Sequence, residues 1–306
     1  MPIKFAILGA GGVGGYFAGL LARGGYDVYV YARGANLAAI KERGMEIRTP
    51  QESFVTPVYV SNDVKEFGPI DCAILAVKNY SLAEISSEAK YLAENGALIL
   101  PLLNGVEVAD RLIEYGVPAR QVLGGLTAIS AVKVAPGVFE RKSEFQRITL
   151  GQINGEPDPD LNERMGSFAA AFREVGIESE VSKDITADLW RKFAFIASAA
   201  AACGLARCSV GDLRRRPYGS LLFERAVGEV ISVAKARNVV LRDDEVERMM
   251  RFFEKLVDSM KPSFLLDLES GGPTEIDDLS GAVSRLGRQA GVDTPVHDTA
   301  TTALSL

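Results

Sequence analysis

Lys4-Phe-Ala-Ile-Leu-Gly9-Ala-Gly11-Gly-Val-Gly14-Gly-Tyr-Phe-Ala-Gly-Leu-Leu-Ala-Arg23 decides how the rest of the chain is read. Ile3 to Leu8 is a short, continuously apolar run, the pattern of a parallel strand buried on both faces. Gly9, Gly11 and Gly14 follow in GxGxxG spacing. A helical pattern (Tyr16, Phe17, Leu20, Leu21) then runs to Gly24-Gly25. In that context Gly9 makes the strand-to-helix turn, Gly11 lets a pyrophosphate approach the backbone, and Gly14 lets helix and strand pack closely. The unpaired N–H groups and partial positive charge of the helix start suit a phosphate. Backbone from Gly9, Ala10, Gly11, Gly12, Val13 and Gly14 is therefore expected to hold a dinucleotide.

Asp27 to Tyr31 reads as the second strand, and its end discriminates between the nicotinamide cofactors. A site for the unphosphorylated cofactor usually carries an acid there for the ribose 2′-hydroxyl. Here the strand ends Tyr31-Ala-Arg33-Gly34, and Asp27 lies at the wrong end. A guanidinium matches a 2′-phosphate bidentately, so Arg33 favours NADP over NAD.

Further along, Asn36 to Arg43 reads as a helix, and residues 46 to 60 as strands broken by Pro50 and Pro57. Asp71 to Val77 and Ala97 to Leu103 are buried strands whose carboxyl ends deliver Lys78 and Asn104. Ligands of open α/β sheets bind at such ends, which makes both residues site candidates. Gln121 to Leu126 and the segments at 138–142 and 145–153 are expected to close the sheet. A helix to Val175 and a strand, Ile177 to Val181, follow.

Beyond residue 182 strand signals give way to helical runs. The expected organisation is α/β: a dinucleotide-binding domain over 1–182 and an all-helical domain over 183–306. A helix through Asp188-Leu-Trp190-Arg-Lys192-Phe-Ala-Phe-Ile196 sets Lys192 on an apolar surface. Such a cation needs an anionic neighbour, solvent or a task. Trp190 reads as core, Arg214-Arg-Arg216 as a solvated helix end, and Met249, Met250, Phe252 and Phe253 as a packing stripe. His297 reads as a surface or capping residue, and Thr274-Glu-Ile-Asp277 as a helix start.

Composition narrows the partners. With 34 basic and 40 acidic residues in 306, the net charge is −6, which argues against nucleic acid. Three cysteines (Cys72, Cys203, Cys208) and one histidine offer neither a disulfide framework nor a metal cluster, and suit a reducing, cytoplasmic setting. The start runs straight into the first strand, so no signal peptide is expected. The apolar stretch Phe193 to Ala206 is short for a membrane span, so no membrane partner is expected.

These pieces together resemble the ketopantoate reductase (2-dehydropantoate 2-reductase) family over nearly the whole chain. The matching stretches are Gly9-Ala-Gly11-Gly-Val-Gly14, Tyr31-Ala-Arg33-Gly34, Val77-Lys78, Asn104-Gly105, Leu189-Trp-Arg-Lys192, Ser263-Phe-Leu-Leu-Asp267 and Pro273-Thr-Glu275-Ile-Asp277. The resemblance implies an N-terminal Rossmann domain and an all-α C-terminal domain like that of 6-phosphogluconate dehydrogenase. It implies an oxidoreductase of pantothenate biosynthesis that reduces a 2-keto acid with NADPH, with a homodimer as a candidate assembly.

Roles are implied position by position. Lys192 matches the proton-donating lysine, and Asn104 an asparagine beside nicotinamide and substrate. Ser263 matches a substrate-binding serine, and Glu275 a catalytic carboxylate that also reaches the cofactor. Lys78 matches a lysine near substrate and cofactor, and Ala131 a residue backing the nicotinamide. The family pattern also has asparagines one and two turns after the lysine, where this chain has Ile196 and Ala200. Val210 replaces a third, before Gly211-Asp212-Leu213, and Met260 stands where another amide is expected. Positions four and eight residues on lie on the lysine's helical face. The wall beside the cation is thus expected to be apolar, suiting a substrate less polar than ketopantoate. A related dehydrogenase acting on an imine or a β-hydroxyacid, and a non-catalytic NADP-binding protein, are the competing readings.

Overall fold

The computed structural model describes residues 3–153 and 155–305. The chain forms two compact units. The first holds the chain up to Leu103 and Val108–Ile185; the second holds Asn104–Glu107 and the chain from Thr186. The expected division at 182 has no counterpart for the four residues, 104–107, that join the second unit.

In the first unit the order is β1 (Lys4–Leu8), α1 (Gly12–Arg23), β2 (Asp27–Tyr31), α2 (Gly34–Arg43), β3 (Met45–Arg48), β4 (Ser53–Thr56) and β5 (Tyr59–Ser61). Then come β6 (Cys72–Leu75), α3 (Leu82–Glu94), β7 (Leu98–Pro101), α4 (Val108–Glu114), β8 (Leu123–Ala128), β9 (Ala131–Ala135), β10 (Val138–Arg141), β11 (Arg147–Gln152), α5 (Pro159–Glu174) and β12 (Glu178–Val181). A five-stranded parallel sheet runs β5-β2-β1-β6-β7. Alternate side chains feed two cores. Phe5, Ile7, Cys72 and Ile74 pack with α1 and α5 on one face, while Ala6, Leu8, Ala73 and Leu75 pack with α3 and α4 on the other. Burial on both faces is what the unbroken apolar strands of this sheet require.

The later strands do not all extend that sheet. The Pro136-Gly137 turn, with Gly137 at φ +76°, folds β9 back antiparallel on β10. β10 then takes β3 on its other edge, giving a four-stranded sheet β4-β3-β10-β9. β8, β11 and β12 form a three-stranded sheet. One parallel bridge, Ile99 with Val122, ties its approach to β7. Expected as one closing sheet, these strands are split by the hairpin, whose partners are fixed once its turn forms.

The second unit contains α6 (Ile185–Ala206, entering from the first unit), α7 (Val210–Arg215), α8 (Gly219–Ala236), α9 (Glu245–Lys255), α10 (Ser263–Glu269), α11 (Ser280–Ala290) and α12 (Pro295–Leu304). α6 is its axis: Phe193, Ala194, Ala197 and Ala199 to Ala202 are buried in one apolar cluster with α8, α10 and α11. Among the described residues this is the one helix long and apolar enough to cross a membrane, by length and composition. The stretch expected to be too short is therefore part of a 22-residue helix, 61% buried over its most apolar window.

Three local expectations change. His297 is fully buried, its Nδ1 3.1 Å from Ser280 Oγ and its Nε2 3.1 Å from the Ala226 carbonyl oxygen. Burial pulls its pKa down to about 4, against the Ala226 carbonyl and Asp298. Arg214, far from solvated, donates to the carbonyls of Phe253, Glu254 and Leu256 and so closes the end of α9. Thr274–Asp277 leads into a turn, and α11 starts only at Ser280.

Candidate active site

The glycine loop is built by close contacts. Gly9 has φ +109°, and a Cβ there would fall 2.6 Å from Val77 Cγ1 and 2.7 Å from the Ala76 carbonyl oxygen. Only glycine makes that turn at the end of β1 without displacing the strand-β6 exit. Gly11 is the N-cap of α1, in extended conformation, and the first turn of the helix carries no acidic residue. N–H groups at such a helix start can receive an anion. A Cβ on Gly12 would lie 2.2 Å from the Ala131 carbonyl oxygen. That approach is what brings Ala131, at the start of β9, against the loop.

Asn36 fastens the same corner, donating from Nδ2 to the Ala10 carbonyl (3.0 Å) and accepting from the Gly137 N–H (2.8 Å). Beyond its place in a helix this residue has no local signal, because its partners lie 26 and 101 residues away.

Arg33, just past β2, is half-exposed and held by its neighbours. Its Nε donates to the Tyr31 hydroxyl (2.8 Å), Nη1 donates to Glu84 of α3, and Nη2 lies 3.6 Å from Glu88 Oε1. Tyr31 donates in turn to Glu88 at 2.9 Å. Burial pushes the Glu88 pKa up, but hydrogen bonds from Ser87 and Tyr31 outweigh it, leaving this carboxyl below the usual range. Lys78 sits half-buried three residues past the end of β6, immediately before the single turn Asn79–Ser81.

In the second unit the charge of Glu275 acts on Lys192. Lys192, on α6, keeps part of its surface exposed, yet burial lowers its pKa from 10.5 to about 8. Glu275, itself buried, opposes that fall. Asn104 belongs to this unit too, on the short segment 104–107, and Ser263 opens α10 with its side chain exposed.

Around Lys192 the expected apolar wall is only partly present at the surface. Phe195 and Ile196 are partly exposed, one turn on from the lysine. The Phe195 ring meets Phe252 of α9 edge-on at 5.0 Å, and Phe252 is half-exposed. Ala200 and Val210 are fully buried in the core and do not line an open surface. The aromatic pair had no legible sequence signal, because its members lie 57 residues apart on different helices. A concavity of about 710 Å3 in this unit, bordered by Leu205, Arg225, Glu229, Asp293 and Val296, holds none of the candidate residues.

Comparison with known proteins follows from this architecture. The family described as "Ketopantoate reductase PanE/ApbA" matches residues 5–155, and "Ketopantoate reductase PanE/ApbA C terminal" matches 184–306. The chain belongs to the ketopantoate reductase family. "Uncharacterized oxidoreductase YkpB" of Bacillus subtilis is 30% identical over 298 residues, spanning 97% of this chain and 96% of its own. A 2-dehydropantoate 2-reductase of Halobacterium salinarum is 32% identical over 298 residues, spanning 96% and 95%. The crystal structure of 2-dehydropantoate 2-reductase from Geobacter metallireducens GS-15 shares the fold at TM-score 0.88 and 26% identity, over 99% of both chains. The activity named for the family makes its members oxidoreductases acting on a small keto acid. The parallel sheet with its glycine loop and the helical second unit are the architecture of that family.

Proposed function

We propose that this protein reduces a 2-keto acid to the 2-hydroxy acid with NADPH. The observation that carries the reading is Lys192, a desolvated ammonium whose pKa is lowered to about 8 and opposed by a buried carboxylate, Glu275. A proton donor works best with a pKa near the operating pH, and burial has brought this lysine there.

The loop geometry suits a dinucleotide: Gly9 turns the chain tightly out of β1 against Val77 and Ala76, and the start of α1 carries no competing side-chain acid. In this reading the backbone from Gly9 through Ala10, Gly11, Gly12, Val13 and Gly14 holds the pyrophosphate, and Arg33 meets the 2′-phosphate. Lys78, Asn104, Ala131 and Glu275 complete the cofactor contacts. When bound, NADPH supplies a hydride to the keto carbon. The carbonyl electron pair moves onto oxygen as that bond forms, and Lys192 Nζ donates its proton to the resulting oxyanion. Glu275 keeps the ammonium charged until then, and solvent returns the proton afterwards. Asn104 and Ser263 fix the substrate through neutral hydrogen bonds.

The partly exposed Ile196 and Phe195 beside Lys192 favour a hydrocarbon or aromatic tail over the hydroxylated tail of ketopantoate. Methyl and ring carbons leave a buried hydroxyl without a partner, at a cost of about 1–3 kcal/mol. The test is NADPH oxidation with 2-keto acids graded by tail polarity, ketopantoate included. Branched or aromatic substrates are expected to exceed ketopantoate in kcat/KM by about tenfold or more. Oxidation with none of them would remove the reductase reading; ketopantoate as the best substrate would remove the substrate assignment alone.

A further inference from the structure

The end of β2 carries no acid in sequence, yet the fold supplies two from α3. Glu84 and Glu88 stand four residues apart, on one face of that helix, and both turn toward Arg33. The guanidinium fork is already occupied: Nε by the Tyr31 hydroxyl, Nη1 by Glu84, and Nη2 within 3.6 Å of Glu88. The cation also lies 5.2 Å over the Tyr31 ring, which fixes its plane.

The geometry points to Glu84 and Glu88 as the residues that set how strongly this protein prefers the 2′-phosphorylated cofactor over the unphosphorylated one. This rests on the reading of Arg33 as the 2′-phosphate contact. One positive charge faces two negative ones, so a doubly charged 2′-phosphate enters a corner whose local balance is already negative. The two acids differ in what they do. Glu84 is 62% exposed and free to swing out, giving up its place on Nη1 to the phosphate. Glu88 is 18% exposed and pinned by Tyr31 at 2.9 Å and Ser87 at 2.7 Å, so it stays and repels. A ribose 2′-hydroxyl carries no charge and finds in the same carboxylates the acceptors that an acid at the strand end would supply. The arrangement therefore narrows the gap between NADPH and NADH that an unopposed arginine would open.

The experiment is equilibrium titration of the full-length protein with NADPH and with NADH, followed by cofactor fluorescence. Adenosine 2′,5′-bisphosphate and adenosine 5′-monophosphate serve as competing fragments. Wild type, Glu84→Gln, Glu88→Gln and Arg33→Ala are compared. Each glutamine variant is expected to tighten NADPH and the bisphosphate about five- to tenfold, the size of one screened like-charge contact, with NADH unchanged or weaker. Glu84→Gln alters an exposed side chain and keeps the test open should Glu88→Gln fold poorly. Equal shifts for both cofactors, or none, would overturn the proposal while leaving the cofactor site standing. Failure of wild type to bind either nucleotide, or an Arg33→Ala variant that binds both as wild type does, would overturn the underlying reading and this one with it.

Discussion

Lys192 and Glu275 come together inside the helical unit from segments 83 residues apart: a cation whose burial pulls its pKa to about 8, and a buried carboxylate that resists the pull. Burial alone disfavours the charged lysine, and the facing carboxylate restores part of what desolvation removes. The balance leaves most of the lysine protonated at neutral pH and lets it lose a proton readily.

A pH dependence follows directly. In the proposed mechanism the donor form is the ammonium, so kcat should be level below about pH 8 and fall above it as the proton is lost. Glu275→Gln removes the group that raises the pKa, so the alkaline limb should move to lower pH by about one unit. The measurement is kcat against pH for both proteins with saturating cofactor. An unmoved limb would separate Glu275 from the lysine's titration.

Ile196→Asn and Ala200→Asn place amides where the family pattern carries them, but in different surroundings. Ile196 is partly exposed, so its variant should raise the ratio of kcat/KM for ketopantoate over an apolar 2-keto acid by about tenfold. Ala200 is fully buried, so its variant should lose about 1–3 kcal/mol of stability through overpacking, without a matching gain in specificity. Steady-state kinetics and denaturant unfolding separate the two outcomes.

Gly12→Ala should damage the proposed cofactor loop. The added methyl would stand 2.2 Å from a backbone oxygen of Ala131, so loop and β9 must part. The expected result is at least about tenfold weaker NADPH binding, together with a stability loss of about 1–3 kcal/mol. Cofactor titration and denaturant unfolding check both.

His297 gives the protein an acid weakness. Its folded pKa of about 4 lies below the ordinary 6.5, so between those values the unfolded chain binds a proton that the folded chain does not. Stability contributed by neutral His297 is complete above about pH 6.5 and is lost as pH falls toward 4. His297→Gln should flatten that part of a stability-against-pH curve. It should also cost about 1–3 kcal/mol at neutral pH, because the partners at Ser280 and Ala226 are no longer matched.

What the sequence disclosed and what it hid divide along physical lines. β2 was legible to the residue, Asp27–Tyr31, because local alternation and flanking turns define it. The glycine loop and α1 were legible because their spacing is itself the geometry. Local signals could not place β10 beside β3, 92 residues away, or show that the β9–β10 hairpin leaves the main sheet. The same limit hid Arg214, whose run of three arginines looked solvated although its partners are the carbonyls ending α9. Glu84 and Glu88 gave no sign of meeting Arg33, since 50 or more residues separate them. Thr274–Asp277 carried a helix-start pattern, and a turn over 276–279 comes first, so that α11 begins only at Ser280.

The most direct measurement is the rate of NADPH oxidation by Lys192→Ala, at neutral pH, with the best 2-keto acid found for the wild type. General-acid loss should lower kcat by about 10²–10⁴-fold while NADPH affinity stays within a few-fold, since the proposed cofactor contacts do not include Lys192. Turnover near the wild-type rate would show that this ammonium does not donate the proton.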